Sequence, residues 1–168
     1  AVFYAERARG QVGLIVTGGI APNKAGAVAK HASMMTTPED AKAHRIITEA
    51  VKKEGGKICM QILHAGRYAY HDHGVSASAI RSPINKNTPR ALTSDEVWQT
   101  VEDYVNSAAL AKEAGYDGVE IMGSEGYLIN QFIVKRTNHR EDEWGGVYEN
   151  RIKLPIEIVR RTRERVGK

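Results

Sequence analysis

The stretch TPEDAKAHRIITEAVKKEGGKICMQILH, residues 37–64, sets the fold class of this chain. Thr37 precedes a proline and two acidic residues, which is typical of a helix start because the hydroxyl caps the first turn and the acids face the positive end of the helix dipole. The spacing predicts a helix over 38–54 that two glycines end, followed by a strand over 57–64. The expected inward face of this helix is Ala43, Ile46, Ile47, Ala50 and Val51.

The segment upstream repeats the alternation of helix and strand. Residues 2–9 are typical of the end of a helix, and the apolar run 12–16 predicts a strand that Thr17-Gly18-Gly19 stops.

The segment downstream repeats it again. Thr93 and Glu96 predict a capping box, Gly115 closes the helix, and residues 117–122 predict a third strand. The expected buried stripe of that helix is Val97, Val101, Tyr104, Val105 and Ala108.

A last helix is expected over roughly 149–166. Ile152, Ile156 and Val159 would face inward, and Pro155 would lie in the first turns or kink the helix.

Short strands that alternate with helices indicate right-handed βαβ units and a parallel sheet, so the predicted fold class is α/β. Three strands cannot close a barrel. The chain starts within a helix and stops at 166–168, where a fourth strand is due, so we expect part of a larger domain.

Composition excludes several classes of protein. The 168 residues are 42% hydrophobic and 26% charged, which rules out a disordered or collagen-like chain. Cys59 is the only cysteine, so no internal disulfide can form, and a cytoplasmic location is expected. No apolar run reaches the roughly 18 residues of a membrane span. The net charge of +4 comes partly from residues 160–165, which lack the stacking aromatics of a nucleic-acid site.

Each predicted strand ends in a distinctive segment: residues 17–22, 61–67 and 122–132. Because the carboxyl ends of parallel strands meet at one rim, we expect these segments to face each other. The long connection 65–92 also follows a strand and is of a length that often carries function.

The segments QILHAGR (61–67), AGYDGVEI (114–121), GYL with QF (126–132) and NHREDEWGG (138–146) resemble the Old Yellow Enzyme family of FMN-dependent ene-reductases. The resemblance covers essentially the whole chain. It implies a (β/α)8 TIM barrel, of which residues 1–168 would be a fragment of the FMN-binding domain with about three parallel βα units.

One departure from the family pattern is informative. Met122 and Glu125 stand where ordinary ene-reductases of this family carry a His/His or His/Asn pair that hydrogen-bonds the substrate carbonyl. The segments MGSEGYLIN (122–130) and GGIAP (18–22) are similar instead to the bacterial 2,4-dienoyl-CoA reductase branch. That branch adds FAD and a 4Fe-4S cluster, which one cysteine cannot hold.

The resemblance also implies the site residues. Gln61 and Gly19 would contact FMN, and the Gln61 amide suits the donor–acceptor edge of a flavin because it both donates and accepts. Tyr127 would be the catalytic proton donor, and Arg136 and His64 would contact substrate. Each residue also has a structural alternative. Gln61 would be a buried amide, Gly19 a turn glycine and Tyr127 a core tyrosine. Arg136 would be a surface or packing arginine, and His64 would orient its neighbours through a hydrogen bond.

Two further groups of polar residues are interpreted as structural. The loop 138–151, with Asn138, Arg140 and Asp142, is expected to be held by arginine–carboxylate pairs. The triplet His71-Asp72-His73 lacks a third and fourth ligand at suitable spacing, so no metal site is predicted.

The function implied is part of an FMN-dependent oxidoreductase that takes electrons from NAD(P)H. It would reduce the C=C bond of an unsaturated acyl-CoA, with hydride from FMN and a proton from Tyr127. One alternative is a related ene-reductase acting on another enoate or enone. Another is a non-catalytic barrel fragment that needs the missing strands or self-association.

Overall fold

A computed structural model describes residues 1–167, so Lys168 of the predicted domain lies outside the described residues. In chain order the elements are α1 (Val2–Arg9), β1 (Ile15–Ile20), α2 (Pro38–Lys53), β2 (Ile58–Ile62), a 3-10 turn (Gly66–Tyr68), β3 (Val75–Ser76), β4 (Arg90–Ala91), α3 (Ser94–Glu113), β5 (Gly118–Ile121), α4 (Leu128–Ile133), α5 (Tyr148–Arg151) and α6 (Lys153–Val166). The main sheet has the order β1-β2-β5 and is parallel throughout, which confirms the predicted α/β class.

The predicted bounds of the first strand were wrong. β1 begins at Ile15 and continues through Thr17 and the two glycines to Ile20. Its pairing with β2 is irregular between Val16 and Gly19, where Thr17 Oγ1 accepts a hydrogen bond from the Gln61 N–H (3.0 Å). The ends of this strand are therefore set by its backbone pairing with β2, which the pattern of apolar residues in the sequence cannot predict.

The helix α2 has the predicted capping box, in which Thr37 accepts from the Asp40 N–H (3.2 Å). Its predicted inward face was only partly correct, because Ala43 and Ile46 are exposed. Thr48 is buried instead, and its hydroxyl donates to the Ala114 carbonyl (2.6 Å). A polar side chain that satisfies a buried carbonyl thus occupies a core position.

The helix α3 forms as predicted, with the Thr93–Glu96 capping box and all five residues of its apolar stripe buried. The strand β2 buries Ile58, Met60 and Ile62 in the same core as this stripe.

The predicted last helix is divided in two at Ile152. Pro155 lies in the first turn of α6 and has no N–H to donate to the residue 151 carbonyl, so a continuous helix would leave that carbonyl without its bond. The predicted inward face was wrong for Ile156 and Val159, which are exposed. The buried residues are Leu154, Ile158 and Thr162, on the side where α6 packs against α3.

Among residues 1–167, β5 pairs only with β2, and a cavity of about 450 Å³ lies between its other edge and α6. Val119 and Val159 line it. In the part of the chain up to Gly167, no helix is both long and apolar enough to cross a membrane.

Candidate active-site rim

The three parallel strands end at one edge of the sheet, which we call the rim. Three residues pair across it: Gly19, Gln61 and Glu120. Gln61 lies opposite Gly19 on one side and opposite Glu120 on the other. Because strand residues alternate between faces, Gln61 and Cys59 face away from the core that Met60 enters.

The Gln61 side chain is half-buried and partly engaged. Its Nε2 donates to Glu120 Oε1 (3.3 Å), and Oε1 has no protein partner among residues 1–167. An oriented amide with a free acceptor is suited to the N–H of a flavin pyrimidine ring. The residue thus fits an FMN contact, and that role stays a prediction.

Gly19 has a packing reason to be glycine. A Cβ at this position would lie 2.7 Å from Leu63 Cδ1 and 2.8 Å from Leu63 Cβ. Leu63 belongs to a small cluster at the rim, so any larger residue at 19 would displace it. The FMN contact predicted for Gly19 is not needed to explain the residue.

Tyr127 stands at the start of α4, half-buried against the rim cluster of Leu63, Ala65, Ala69 and Met122. Its ring meets the Tyr68 ring edge to face at 5.9 Å between centroids. The adjacent Leu128 N–H donates to the His64 carbonyl (3.1 Å). The tyrosine is thereby fixed beside the segment that follows Gln61.

His64 is buried within the rim. Its Nδ1 accepts from the Gly66 N–H (3.1 Å), while Nε2 has no hydrogen-bond partner in the described chain. Burial lowers its pKa to about 3, so the ring is neutral. A Cβ on Gly26 would lie 2.6 Å from His64 Cδ2, so glycine at 26 makes room for the ring. The structure places His64 among packed atoms, and its predicted contact with substrate stays a prediction.

Arg136 is exposed just beyond α4 and makes no side-chain hydrogen bond within residues 1–167. The following residues are anchored: Thr137 Oγ1 donates to the Gln131 carbonyl (3.0 Å), and Asn138 Nδ2 donates to the Phe132 carbonyl (2.7 Å). A fixed turn therefore carries a free guanidinium, which is consistent with the predicted substrate contact but does not test it.

The two residues in place of the family's histidine pair differ in setting. Met122 is buried in the rim cluster, and Ser124 Oγ contacts its sulfur at 3.6 Å. Glu125 is exposed, with a backbone φ of 61° that non-glycine residues rarely adopt.

Gln131, whose role was not predicted from the sequence, is the buried centre of the rim's hydrogen bonds. Its Oε1 accepts from the Arg67 N–H (3.0 Å) and from Ser76 Oγ (2.9 Å), and its Nε2 donates to the Gly126 carbonyl (2.7 Å). Gly66 must be glycine because a Cβ there would lie 2.2 Å from Gln131 Oε1. The sequence signal for this role is that Gln131 stands among the apolar residues of α4, where a polar side chain must find hydrogen-bond partners.

Arg67 was also missed as a candidate. Its guanidinium carbon lies 5.5 Å from the centre of the Tyr68 ring, and its buried Nε has no partner in the described residues. An unpartnered cationic donor beside Tyr68 marks this rim as a place for an electron-rich ligand.

The loop interpreted as structural has the expected pairing. Arg140 Nε donates to Asp142 Oδ1 (2.9 Å), and this contact with the guanidinium is the main reason that the Asp142 pKa is lowered. Asn138 Nδ2 also reaches the Trp144 carbonyl (2.8 Å), and Trp144 is fully buried.

Three comparisons with known proteins agree on the family. The profile of the NADH:flavin oxidoreductase / NADH oxidase family matches residues 1–168. The NADPH dehydrogenase of Bacillus subtilis (strain 168) is 40% identical over 157 residues, which cover 93% of this chain and 46% of that protein.

Solved structures match the fold closely. Morphinone reductase in complex with tetrahydroNAD has a TM-score of 0.92 and 30% identity, over 99% of this chain and 51% of that one. A 2-naphthoyl-CoA reductase bound to 2-naphthoyl-CoA also has a TM-score of 0.92, with 28% identity over 98% of this chain and 28% of that one. The chain spans between a quarter and about half of the length of these relatives.

Proposed function

The chain belongs to the NADH:flavin oxidoreductase / NADH oxidase family, and from that premise we propose that it forms part of the FMN site of an enzyme that reduces conjugated C=C bonds with electrons from NAD(P)H. The observation that carries this proposal is the hydrogen bond from the Leu128 N–H to the His64 carbonyl. It ties the start of α4, and with it Tyr127, to the segment that follows Gln61. The amide proposed to recognise the flavin and the phenol proposed to donate the proton then share one rim.

The substrate we propose is an unsaturated acyl-CoA of the 2,4-dienoyl type. Met122 and Glu125 cannot present the His/His or His/Asn pair that the resemblance to ene-reductases implies for simple enones, and one solved neighbour carries an acyl-CoA by name. The second candidate is an enone or another enoate, which the similarity to morphinone reductase favours.

Each residue has a distinct role in this proposal. Gln61 would accept a flavin N–H through its free Oε1, and Gly19 would border the ring. Bound FMN would supply a hydride to the alkene. Tyr127 would donate its phenolic proton to the carbon that becomes basic as the double bond is reduced. Arg136 would bind the acyl-CoA through its free guanidinium.

The proposal assigns the remaining parts to protein beyond this fragment of the barrel. The other strands would complete the barrel along the open edge of β5, with self-association of this chain as the alternative. The FAD and the 4Fe-4S cluster of a dienoyl-CoA reductase would be held elsewhere, since Cys59 is the only cysteine here. The cytoplasm is the proposed compartment.

A flavin titration tests the proposal directly. We expect FMN to bind saturably, with a change in its fluorescence, and Gln61→Ala to weaken binding at least tenfold. Gln99→Ala, on the exposed face of α3, is the control and should bind as the wild type does. If Gln61→Ala and wild type bind FMN equally, the proposed flavin contact is wrong.

The substrate class is tested by turnover. With NADPH as the electron donor, the assembled enzyme that contains these residues should reduce a 2,4-dienoyl-CoA with a higher kcat/KM than cyclohexenone. The reverse order would favour the enone alternative. Arg136→Ala should raise KM for the CoA thioester and leave the enone KM unchanged.

A further inference from the structure

A second cavity, of about 600 Å³, opens between the loop that follows β1 and the loop that follows β2. Its walls come from residues 24–34 and 70–73. Both loops leave the carboxyl ends of their strands, so the cavity lies at the same end of the sheet as Gln61 and Tyr127.

The two lysines that line this cavity outnumber its one carboxylate, so the lining carries a net positive charge. Lys24 and Lys30 are exposed and form no ion pair within residues 1–167. Asp72 is the one carboxylate among the lining residues, and its Oδ1 is engaged by Asn87 Nδ2 at 3.0 Å. Two free ammonium groups at the edge of a concave surface favour an anionic ligand.

His71, one of the three histidines that line the cavity, has no ring nitrogen left for a metal. His71 Nε2 lies 2.8 Å from the Ala27 carbonyl, and its Nδ1 accepts from the His73 N–H (3.1 Å). Both ring nitrogens of His71 are therefore occupied, and its bond to Ala27 ties the two walls together. No group of three or more ligating side chains suited to a metal occurs in the chain as described.

One wall offers a flat apolar surface. Tyr70 is 63% exposed and lines the cavity beside small residues, among them Ala29 and Ala32. The Tyr70 N–H donates to the Val28 carbonyl (2.7 Å), and Val28 packs against the rim cluster that Tyr127 also contacts. The cavity is thus joined through Val28 to the wall of the candidate active site.

We propose that this cavity binds the phosphorylated adenosine of a nucleotide ligand, with the base against Tyr70 and the phosphate between Lys24 and Lys30. The cavity lies at the same end of the sheet as Tyr127 and is joined to the rim through Val28, which favours the polar end of a long ligand as its occupant. Two sources share this chemistry: the 3′-phosphate end of an acyl-CoA and the 2′-phosphate end of NADPH. The choice of a nucleotide as the occupant rests on the proposed function, whereas the preference for an anion beside an aromatic ring rests on Lys24, Lys30 and Tyr70 alone.

Calorimetric titration with adenosine 3′,5′-bisphosphate and adenosine 2′,5′-bisphosphate, with and without FMN, tests this site. The double variant Lys24→Glu/Lys30→Glu should weaken binding of the preferred bisphosphate at least tenfold. Lys42→Glu/Lys57→Glu makes the same change of net charge on exposed lysines away from the cavity and should leave binding within twofold of wild type. All four side chains are exposed, so none of these changes disturbs the core.

The base is tested separately at Tyr70. Tyr70→Ala should weaken binding severalfold, while Tyr70→Phe should preserve it, because a stacked ring needs no hydroxyl.

The outcomes separate this inference from the proposed function. Preference for the 3′,5′-isomer assigns the site to the acyl-CoA, and preference for the 2′,5′-isomer assigns it to NADPH. Saturable binding without any flavin binding would support the cavity and contradict the proposed function. The inference would be overturned if neither bisphosphate binds saturably, or if both double variants weaken binding equally. Either result would do so even if the protein binds FMN and reduces its substrate.

Discussion

Gln61 Nε2 donates a hydrogen bond to Glu120 Oε1 at 3.3 Å, across the paired strands β2 and β5. The contact joins a neutral amide to a carboxylate at directly opposed positions of a parallel sheet. It fixes which end of the amide is free, because Nε2 points at Glu120 and Oε1 is left for a ligand.

Replacing that amide by a carboxylate should create a pH-dependent loss of stability. In Gln61→Glu, two carboxylates would face each other, and repulsion raises the pKa of one of them in the folded state. For an acid, a raised folded pKa costs stability as pH rises above the unfolded value of about 4.3. We expect a loss of about 1 kcal/mol at pH 7 that nearly vanishes at pH 4, measured by urea unfolding.

Gln61→Met is the uncharged control for this change. It removes the same hydrogen bond without adding charge, so its effect should vary much less between pH 4 and pH 7 than that of Gln61→Glu. A loss in Gln61→Glu that is equal at both pH values would show that the two side chains are not in contact.

The burial of His64 should appear in the pH dependence of stability. Its folded pKa of about 3 lies below the unfolded value of about 6.5, so the unfolded state binds the proton first and stability falls as pH falls below 6.5. We expect the neutral His64 to lower the free energy of unfolding by about 1.5 kcal/mol as the pH falls from 6.5 to 5. Unfolding free energies of His64→Gln should lack that part of the slope.

His44 provides a comparison, because burial also lowers its pKa. His44→Gln should keep the part of the slope that belongs to His64. An unchanged slope in His64→Gln would contradict the neutral, buried state of that imidazole.

Gly26 should tolerate no side chain. Its Cβ would fall 2.6 Å from His64 Cδ2, and the imidazole cannot withdraw because it is packed on all sides. We expect Gly26→Ala to lower the free energy of unfolding by about 1–3 kcal/mol in chemical denaturation. Gly18→Ala, where a Cβ would meet nothing within 4 Å, is the matched control and should change stability by less than about 0.5 kcal/mol.

Gln131 should matter more to stability than its place on a six-residue helix indicates. Gln131→Leu would leave the Arg67 N–H and the Gly126 carbonyl without their partners inside the rim. We expect a loss of about 2–4 kcal/mol in the free energy of unfolding. Gln99→Leu makes the same substitution at an exposed position and should change the free energy of unfolding little. If Gln99→Leu and Gln131→Leu destabilise the protein equally, the proposed role of Gln131 is wrong.

The parts of the fold that could be predicted from sequence are those with local causes. Thr37 and Thr93 define helix starts through bonds to residues three positions away, so the sequence alone locates α2 and α3. The bounds of β1 depend on a partner strand more than 40 residues away, where Gln61 donates to Thr17. Pro155 lies in the first turn of α6, one of the two positions expected for it, but the separate short helix α5 before it was not predicted.

The candidate site shows the same division. The rim could be predicted because parallel strands end together, which places Gly19 opposite Gln61. The surroundings of His64 could not, because its burial is created by Gly26, nearly 40 residues earlier, and by the bond from Gly66. Which side of a helix is buried likewise depended on packing partners, as the exposed Ile46 and the buried Thr48 show.

Tyr127 and Tyr68 offer a matched test of the proposed proton transfer, because their rings pack edge to face at 5.9 Å. Tyr127→Phe keeps the ring and its packing but removes the phenolic proton. We expect kcat for reduction of the C=C bond to fall by about 10²–10⁴-fold, the usual contribution of a general acid. Flavin reduction by NADPH, followed by stopped-flow absorbance, should be unchanged because that step does not use this proton. Tyr68→Phe should retain turnover within a few fold, and equal losses in the two variants would assign the effect to the aromatic pair rather than to Tyr127 as the acid.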